Sequence, residues 1–251
     1  MFIERIGSGD RHYVGVHGWS GNHRTFLPLA QNMPRDISLW CVDLPGCGRS
    51  GPPEEWTLEA IVDELAEQLA ATIPEPATMV GNCSGAILSM LLASRAPRTV
   101  LRLVLIDAFA AWPWYFRVFT ASGIGQYAYR TTFANPVGRW VTNLSLTGKR
   151  QRDTNLTQGF GSTNHEVTLR YINLFRQAGK ADRFKNFSMP IDILYGEKTF
   201  RAVRESAAVW KAMWPHATEW ILAGAGHLPL LEATARVQQI LFEESPCPVA
   251  I

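Results

Sequence analysis

The chain has 251 residues, of which 47% are hydrophobic and 18% are charged, and its formal net charge is +2. This composition excludes a disordered chain and a coiled coil, and the length suits one large domain or a core with an inserted lid. No apolar stretch approaches the roughly 20 residues that span a bilayer. The N-terminus has no basic segment followed by an apolar run, so we expect a cytoplasmic protein without a signal peptide.

Short apolar runs alternate with helical patterns along the chain, which predicts an α/β fold with a mostly parallel sheet covered by helices. Thr57 is expected to cap a helix in which apolar residues recur at helical spacing. A second helix is predicted from residue 84 to about residue 94. The predicted strands span residues 12–17, 37–42, 78–81, 101–106, 191–195 and 218–222.

The sheet pattern disappears between residues 108 and 188, where aromatic residues are followed by helical patterns. Ligands bind at the carboxyl edge of the strands in open α/β sheets. We therefore expect residues 111–187 to form a cap over that edge, inserted into a core of residues 1–110 and 188–251. Trp112, Trp114 and Phe116 are predicted to line an apolar substrate pocket in this cap; alternatively, they form only its hinge and core.

Positive charge is concentrated in the predicted cap. Residues 111–187 contain eleven Lys and Arg against three Asp and Glu, a net charge of +8, and the remainder contains thirteen against nineteen, a net charge of −6. Such a local field steers charged partners. An acyl carrier protein or a coenzyme A thioester would suit this charge. Apart from the charge itself, no feature of the sequence indicates binding to nucleic acid. The alternative is that the basic residues form an ordinary solvated surface. The candidate contacts are Arg117, Arg130, Arg139, Lys149, Arg150 and Arg152.

The segment Gly81-Asn82-Cys83-Ser84-Gly85 follows a predicted strand and opens a predicted helix. A strand, the pattern Gly-x-nucleophile-x-Gly and a helix are typical of a nucleophile elbow. Counting from Gly81 places Cys83 in the nucleophile's position, and Ser84 one residue later. A helix N-terminus stabilises a thiolate at that point. We predict that Cys83 is the nucleophile; the alternative is an inert cysteine in a structural turn.

A histidine on a glycine-rich loop follows the last predicted strand. This residue, His227, could reach the nucleophile over the edge of the sheet and is predicted to be the catalytic base, whereas His17 is expected to anchor its own turn. Acyl chemistry also needs donors for a developing oxyanion. The backbone N–H groups of Ser84 and Trp19 are expected to supply them, unless Trp19 serves only in packing.

Four motifs in this order resemble those of the α/β-hydrolase superfamily, and the likeness covers nearly the whole chain outside the predicted cap. The first fifty residues are most similar to the pimeloyl-ACP methyl ester esterase branch. The resemblance implies an eight-strand type of sheet, a helical cap, no metal or other cofactor, and a triad of nucleophile, histidine and acid. The motifs are His17-Gly18-Trp19, the turn from Asp43 to Ser50, the elbow, and Gly224-Ala225-Gly226-His227.

The chain departs from the family's pattern at two positions. Cysteine replaces the usual serine, and Thr199 stands where the pattern Gly-x-x-Asp after a late strand would place the acid. Asp107 is the best replacement, because it ends the strand after the elbow helix and some members of the superfamily draw their acid from that position. Glu197 and a histidine without an acidic partner are the other possibilities.

A cysteine nucleophile forms a thioester, which exchanges readily onto amines and thiols. We therefore predict an acyl hydrolase or acyltransferase that acts on a thioester or ester through an acyl-Cys83 intermediate. One alternative is a carboxylic-ester hydrolase of the pimeloyl-ester type, and another is a hydrolase-fold binding protein that has lost catalysis. Cys41, Cys47 and Cys247 are expected to be structural, since the four cysteines show neither metal-ligand spacing nor a disulfide framework.

Overall fold

Seven strands form one sheet in the computed structural model, which describes residues 1–73 and 76–243. The strands are β1 (Ile3–Ile6), β2 (Arg11–Val16), β3 (Ile37–Val42), β4 (Ala77–Asn82), β5 (Val100–Ile106), β6 (Ile191–Gly196) and β7 (Thr218–Leu222). Their order is β1-β3-β2-β4-β5-β6-β7, and β1 pairs antiparallel with β3 while the other neighbours are parallel. The predicted mostly parallel α/β sheet is confirmed, although the described residues form seven strands where the resemblance implied eight.

Nine α-helices accompany the sheet within the described part of the chain. None of them is long and apolar enough to cross a bilayer. The helices are α1 (Leu58–Thr72), α2 (Ser84–Arg95), α3 (Phe116–Thr120), α4 (Gly125–Tyr129), α5 (Pro136–Ser145), α6 (His165–Arg176), α7 (Arg201–Met213), α8 (Pro229–Glu232) and α9 (Thr234–Phe242). Short 3-10 segments span His23–Ala30, Pro97–Thr99, Thr147–Lys149, Gln158–Gly161 and Ala181–Phe184, and a π turn spans Arg130–Ala134.

The sheet separates two hydrophobic clusters because successive side chains of a strand point to opposite faces. In β5, Leu103 and Leu105 pack in the cluster that includes α1, α2 and α7. Val104 and Ile106 pack in the other cluster, with α9. Six parallel strands therefore end at one edge of the sheet with both faces covered, and the residues that follow them meet there.

No strand lies between β5 and β6, where all of residues 107–190 are described. The helices α3 to α6 occupy this stretch, and we call residues 116–187 the helical segment. Its aromatic rings surround Trp19: the ring centroids of Phe116, Phe133 and Phe160 lie 5.5, 5.5 and 5.0 Å from that of Trp19. The division into a core of residues 1–110 and 188–251 and a cap of residues 111–187 stays a prediction.

Candidate active site

Cys83 lies at the sharp turn between β4 and α2, with φ 55° and ψ −118°. A positive φ is strained for a residue with a side chain and is held only by its surroundings. A Cβ on Gly85 would come within 2.1 Å of the Val16 carbonyl oxygen, and a Cβ on Gly81 within 2.4 Å of the Ala86 Cα. Both glycines are therefore needed to pack the turn, and the turn presents the partly exposed Cys83 at the carboxyl edge of the sheet.

His227 lies on the loop after β7, and its Nδ1 lies 2.6 Å from Oδ2 of Asp107. Asp107 follows β5 directly and its side chain is 1% exposed, whereas that of His227 is 16% exposed. The rings of Phe200 and Phe109 flank the imidazole, with centroids 4.7 and 6.2 Å away. The nearly buried carboxylate can therefore fix the orientation of the histidine.

The protonation of His227 depends on both of its neighbours. Burial opposes a charge on the ring, but hydrogen bonds with Asp107 and with the side chain of Cys83, together with their charges, outweigh it and raise the pKa of His227 to about 10. The imidazole therefore carries its second proton at neutral pH.

Thr199, which lies three residues after β6, contacts both Asp107 and His227. Its Oγ1 donates to Oδ2 of Asp107 at 2.5 Å and lies 3.2 Å from Nδ1 of His227. The Gly196 N–H donates to the other carboxylate oxygen at 3.2 Å. Sequence reasoning identified position 199 only as the place of a missing acid. The adjacency of β5 and β6 was the signal that could have placed this hydroxyl beside Asp107.

Glu197 occupies a different position. It is exposed, and its Oε2 accepts the N–H of Gly224 at 2.8 Å. Among the candidate acids, the geometry therefore favours Asp107 as the partner of His227.

Glu232 braces the loop that carries His227. One carboxylate oxygen accepts the N–H of Gly226 at 2.5 Å, and the other accepts the N–H of Gln151 at 2.8 Å. The His227 N–H donates to the carbonyl of Lys149 at 2.8 Å. The loop is therefore hydrogen bonded directly to residues of the helical segment, which sequence reasoning did not predict.

One of the two predicted oxyanion donors, the N–H of Trp19, is bonded to the side chain of Ser84. The backbone N–H of Trp19 donates to Oγ of Ser84 at 2.9 Å. Ser84 is the first residue of α2 and is 3% exposed. The hydroxyl of Ser84 thus holds the N–H of Trp19, while the indole packs among the aromatic rings described above.

His17 is a structural residue of the same turn. Its ring bonds the carbonyl of Gly18 through Nδ1 at 2.7 Å, and its Nε2 accepts the N–H of Leu44 at 3.1 Å. Burial lowers the pKa of His17 to about 4, so the ring is neutral near pH 7. These bonds agree with the expected anchoring role.

A cavity of about 600 Å³ lies on the far side of Phe200, whose ring flanks His227, and neither His227 nor Cys83 is among its lining residues. Trp112 and Trp114 line it together with Tyr115, Phe200 and Lys149. Burial, assisted by the charge of Cys83, raises the pKa of Tyr115 to about 12, so Cys83 lies near this wall. The third predicted pocket residue does not line the cavity, because the ring of Phe116 packs against that of Trp112 at 4.6 Å and against Trp19.

The other cysteines differ from Cys83 in their surroundings. Cys41 and Cys47 are buried, and burial with the charge of Asp43 nearby raises the pKa of each thiol to about 12. Both are therefore poor nucleophiles near neutral pH. Cys247 lies outside the described residues.

Of the six basic candidates of the helical segment, Lys149 lines the cavity, and the other five divide into two groups. Arg139 donates to the carbonyls of Phe133 and Ala134, and Arg150 donates to carbonyls of its own turn. Their guanidinium groups hold the local backbone. Arg117, Arg130 and Arg152 are exposed and can meet a partner.

Known proteins share this architecture. A family model described as alpha/beta hydrolase fold matches residues 14–234. The pimeloyl-[acyl-carrier protein] methyl ester esterase of Salmonella paratyphi A is 26% identical over 253 residues, with 96% of each chain covered, and that of Salmonella typhi matches to the same extent. A thermophilic esterase from Thermogutta terrifontis superposes with a TM-score of 0.78 at 20% identity, covering 97% of this chain and 92% of its own.

These comparisons confirm the resemblance to α/β hydrolases and to the pimeloyl-ACP methyl ester esterase branch. The curated relatives favour the alternative of a pimeloyl-ester type of ester hydrolase over the main prediction of an acyl hydrolase or acyltransferase that acts on a thioester or ester through an acyl-Cys83 intermediate. The solved structure carries the fold alone, since its sequence identity is low. The predicted roles of the site residues rest on the geometry given above.

Proposed function

Since the chain belongs to the α/β-hydrolase fold family and is a hydrolase related to esterases, we propose that it hydrolyses a carboxylic ester through an acyl-Cys83 intermediate. The observation that carries this proposal is the line of Cys83, His227 and Asp107 at the carboxyl edge of the sheet. A histidine that is protonated at neutral pH suits a thiolate nucleophile, because a serine hydroxyl would need an unprotonated base to remove its proton.

The proposed reaction has two steps. The sulfur of Cys83 attacks the ester carbonyl, and as the tetrahedral intermediate collapses, the C–O bond breaks and His227 gives its proton to the departing alcohol. Water then attacks the thioester, its proton passes to His227, and the acid leaves as the Cys83 thiolate is restored. Asp107 keeps Nδ1 of His227 in place throughout, so that Nε2 faces the reacting atoms.

The proposed substrate is a short alkyl ester of an acyl chain whose other end is bound to an acyl carrier protein or to coenzyme A. The curated relatives are named for a methyl ester of this kind. The cavity of about 600 Å³ lies in the size range of small-molecule sites. The exposed Arg117, Arg130 and Arg152 offer cations to a phosphate or an acidic carrier.

Cys83 itself favours a second candidate function, which is cleavage or transfer of a thioester-bound acyl group. In exchange between one thioester and another, one thioester bond forms as another breaks. The same residues would carry out this reaction. A direct comparison of methyl esters with thioesters of the same acyl chain decides between the two functions. Faster acylation by the thioester, or transfer to an added thiol or amine, would favour this second candidate.

Intact-protein mass spectrometry tests the proposal. The protein is mixed with methyl and p-nitrophenyl esters and with acyl thioesters of short and medium length. An acyl-sized mass gain is expected for the wild type and for the control Cys47→Ala, and none for Cys83→Ala. The absence of both an adduct and turnover with every compound would contradict the proposal and favour a hydrolase-fold binding protein.

Alkylation provides an independent measurement of the nucleophile. At pH 6, iodoacetamide should modify Cys83 far faster than Cys41 or Cys47. The buried cysteines also differ in access, so the matched control is Cys83 in the His227→Ala variant, where alkylation should slow. Equal rates at Cys83 with and without the imidazole would contradict the proposed pairing.

A further inference from the structure

The hydroxyl of Ser84 has an unusual set of contacts. Its oxygen accepts the N–H of Trp19 at 2.9 Å. Within residues 1–73 and 76–243 it makes no other hydrogen bond, so no acceptor among these residues takes its own proton. The side chain is nevertheless 3% exposed. A nearly buried hydroxyl usually donates its proton as well as accepting one, because an unpaired donor costs free energy.

The position of this hydroxyl places it beside the nucleophile. Gly18 separates the two side chains: a Cβ built on Gly18 would lie 3.2 Å from Cβ of Cys83 and 3.6 Å from Oγ of Ser84. Both groups therefore pack closely around Gly18, the residue before the one that supplies the N–H of Trp19. A carbonyl carbon bonded to the sulfur of Cys83 would carry its oxygen into that neighbourhood.

We propose that the Ser84 hydroxyl, oriented by the N–H of Trp19, donates a hydrogen bond to the oxyanion of the reaction intermediate. This inference rests on the proposed ester hydrolysis. When the sulfur–carbon bond forms, the carbonyl π electrons move to oxygen, which accepts hydrogen bonds from the hydroxyl and from the backbone N–H of Ser84. No proton leaves the serine, and the electron pair returns as the alcohol departs with the proton of His227.

The contact with Trp19 serves two purposes in this arrangement. It fixes the rotamer of Ser84, and an accepted hydrogen bond polarises the hydroxyl so that it donates more strongly. Trp19 would therefore act through Ser84 and not directly on the substrate. In the opposing arrangement, the N–H of Trp19 is itself the oxyanion donor. The hydroxyl of Ser84 then only occupies this N–H, and the bond between them must break before the N–H can bind the oxyanion.

The two arrangements predict opposite effects of Ser84→Ala. If the hydroxyl is the donor, its removal should slow acylation by p-nitrophenyl butyrate ~10²-fold, as for loss of one oxyanion donor. If the hydroxyl only occupies the N–H of Trp19, its removal should leave acylation unchanged or make it faster. Acylation is measured as the first turnover under stopped flow, and Ser89→Ala in the same helix is the matched control for loss of a buried hydroxyl.

Alkylation of Cys83 by iodoacetamide is measured on every variant, because it uses the same sulfur but forms no oxyanion. We expect it to stay within about twofold of the wild type in Ser84→Ala. A parallel loss of alkylation and acylation would overturn the proposal, since Ser84 would then support the elbow. An acylation rate in Ser84→Ala that equals or exceeds the wild-type rate would overturn the proposal as well.

A second pair of variants covers the case in which Ser84→Ala does not fold. Ser84→Thr and Ser84→Val have the same shape and differ in the hydroxyl alone. Threonine should acylate faster than valine by the same ~10²-fold, and equal rates would overturn the proposal. Lack of acylation in the wild type would instead refute the ester hydrolysis on which the inference rests.

Discussion

Replacement of Asp107 by asparagine removes the negative charge that holds the imidazolium of His227. The pKa of His227 is about 10, against 6.5 for an unperturbed histidine. At about 1.4 kcal/mol per pKa unit, the surroundings stabilise the imidazolium by ~5 kcal/mol, and Asp107 shares this with Cys83. Loss of the hydrogen bond between this charged ring and the Asp107 carboxylate costs ~2–3 kcal/mol. Acylation should therefore slow ~10²-fold.

The assay is stopped-flow acylation by p-nitrophenyl butyrate from pH 5 to 10. In Asp107→Asn the rate should fall and the pH profile should shift, because the imidazole loses its proton at lower pH. A second change, Thr199→Asp in the same chain, restores a carboxylate at the position that the family pattern uses, beside the histidine. The double variant should recover part of the rate. Wild-type rate and profile in Asp107→Asn would refute the orienting role of Asp107.

Further measurements address Thr199, His227, Asp192 and Gly85. Thr199→Val should slow acylation ~10-fold and shift its pH profile, because Asp107 loses a hydrogen bond; an unchanged profile would limit Thr199 to packing. The folded-state pKa of His227 lies above the unfolded value, so the stabilisation that the protonated ring gives to the fold is full below about pH 6.5 and is lost as pH rises to about 10. The free energy of unfolding, from urea titration, should therefore exceed that of His227→Gln by an amount that shrinks across this pH range. A constant difference between the two proteins would contradict this expectation. Asp192→Asn should cost ~1–3 kcal/mol in the same titration at pH 7, because it removes the charge of a buried carboxylate that lies 2.6 Å from Nε of Arg102 and accepts the Nε1–H of Trp220 at 2.6 Å; an unchanged free energy of unfolding would contradict this reasoning. Gly85→Ala should lower the melting temperature by several degrees, since its Cβ would collide with a backbone carbonyl, and an unchanged temperature would show that the elbow can relax.

The strands could be predicted because most of them are buried on both faces. Such strands give continuous apolar runs, and all six predicted strands are confirmed to within one residue at each end. The N-cap of α1 at Thr57 could also be predicted from neighbouring residues alone, and Oγ1 of Thr57 accepts the N–H of Ala60 at 3.2 Å. The edge strand β1 was missed, because four residues with two charges give no such run and its pairing with β3 is a long-range contact.

The residues of the candidate site also differ in whether local sequence predicts them. The elbow and the histidine loop follow from short motifs, so Cys83 and His227 could be proposed from spacing alone. Asp107 needed the order of the strands as well. The hydroxyl of Thr199 and the bond between Trp19 and Ser84 depend on side-chain geometry across 65 to 92 residues of sequence, which no local pattern encodes.

The brace at Glu232 limits how the active site can open. Its carboxylate joins the histidine loop to Gln151, and the carbonyl of Lys149 holds the backbone of His227. If the helical segment swung away as one rigid lid, it would pull the histidine from the nucleophile. Any movement of the helical segment that kept His227 in place would therefore have to occur before residue 149, so that residues 149–154 stayed bonded to the histidine loop.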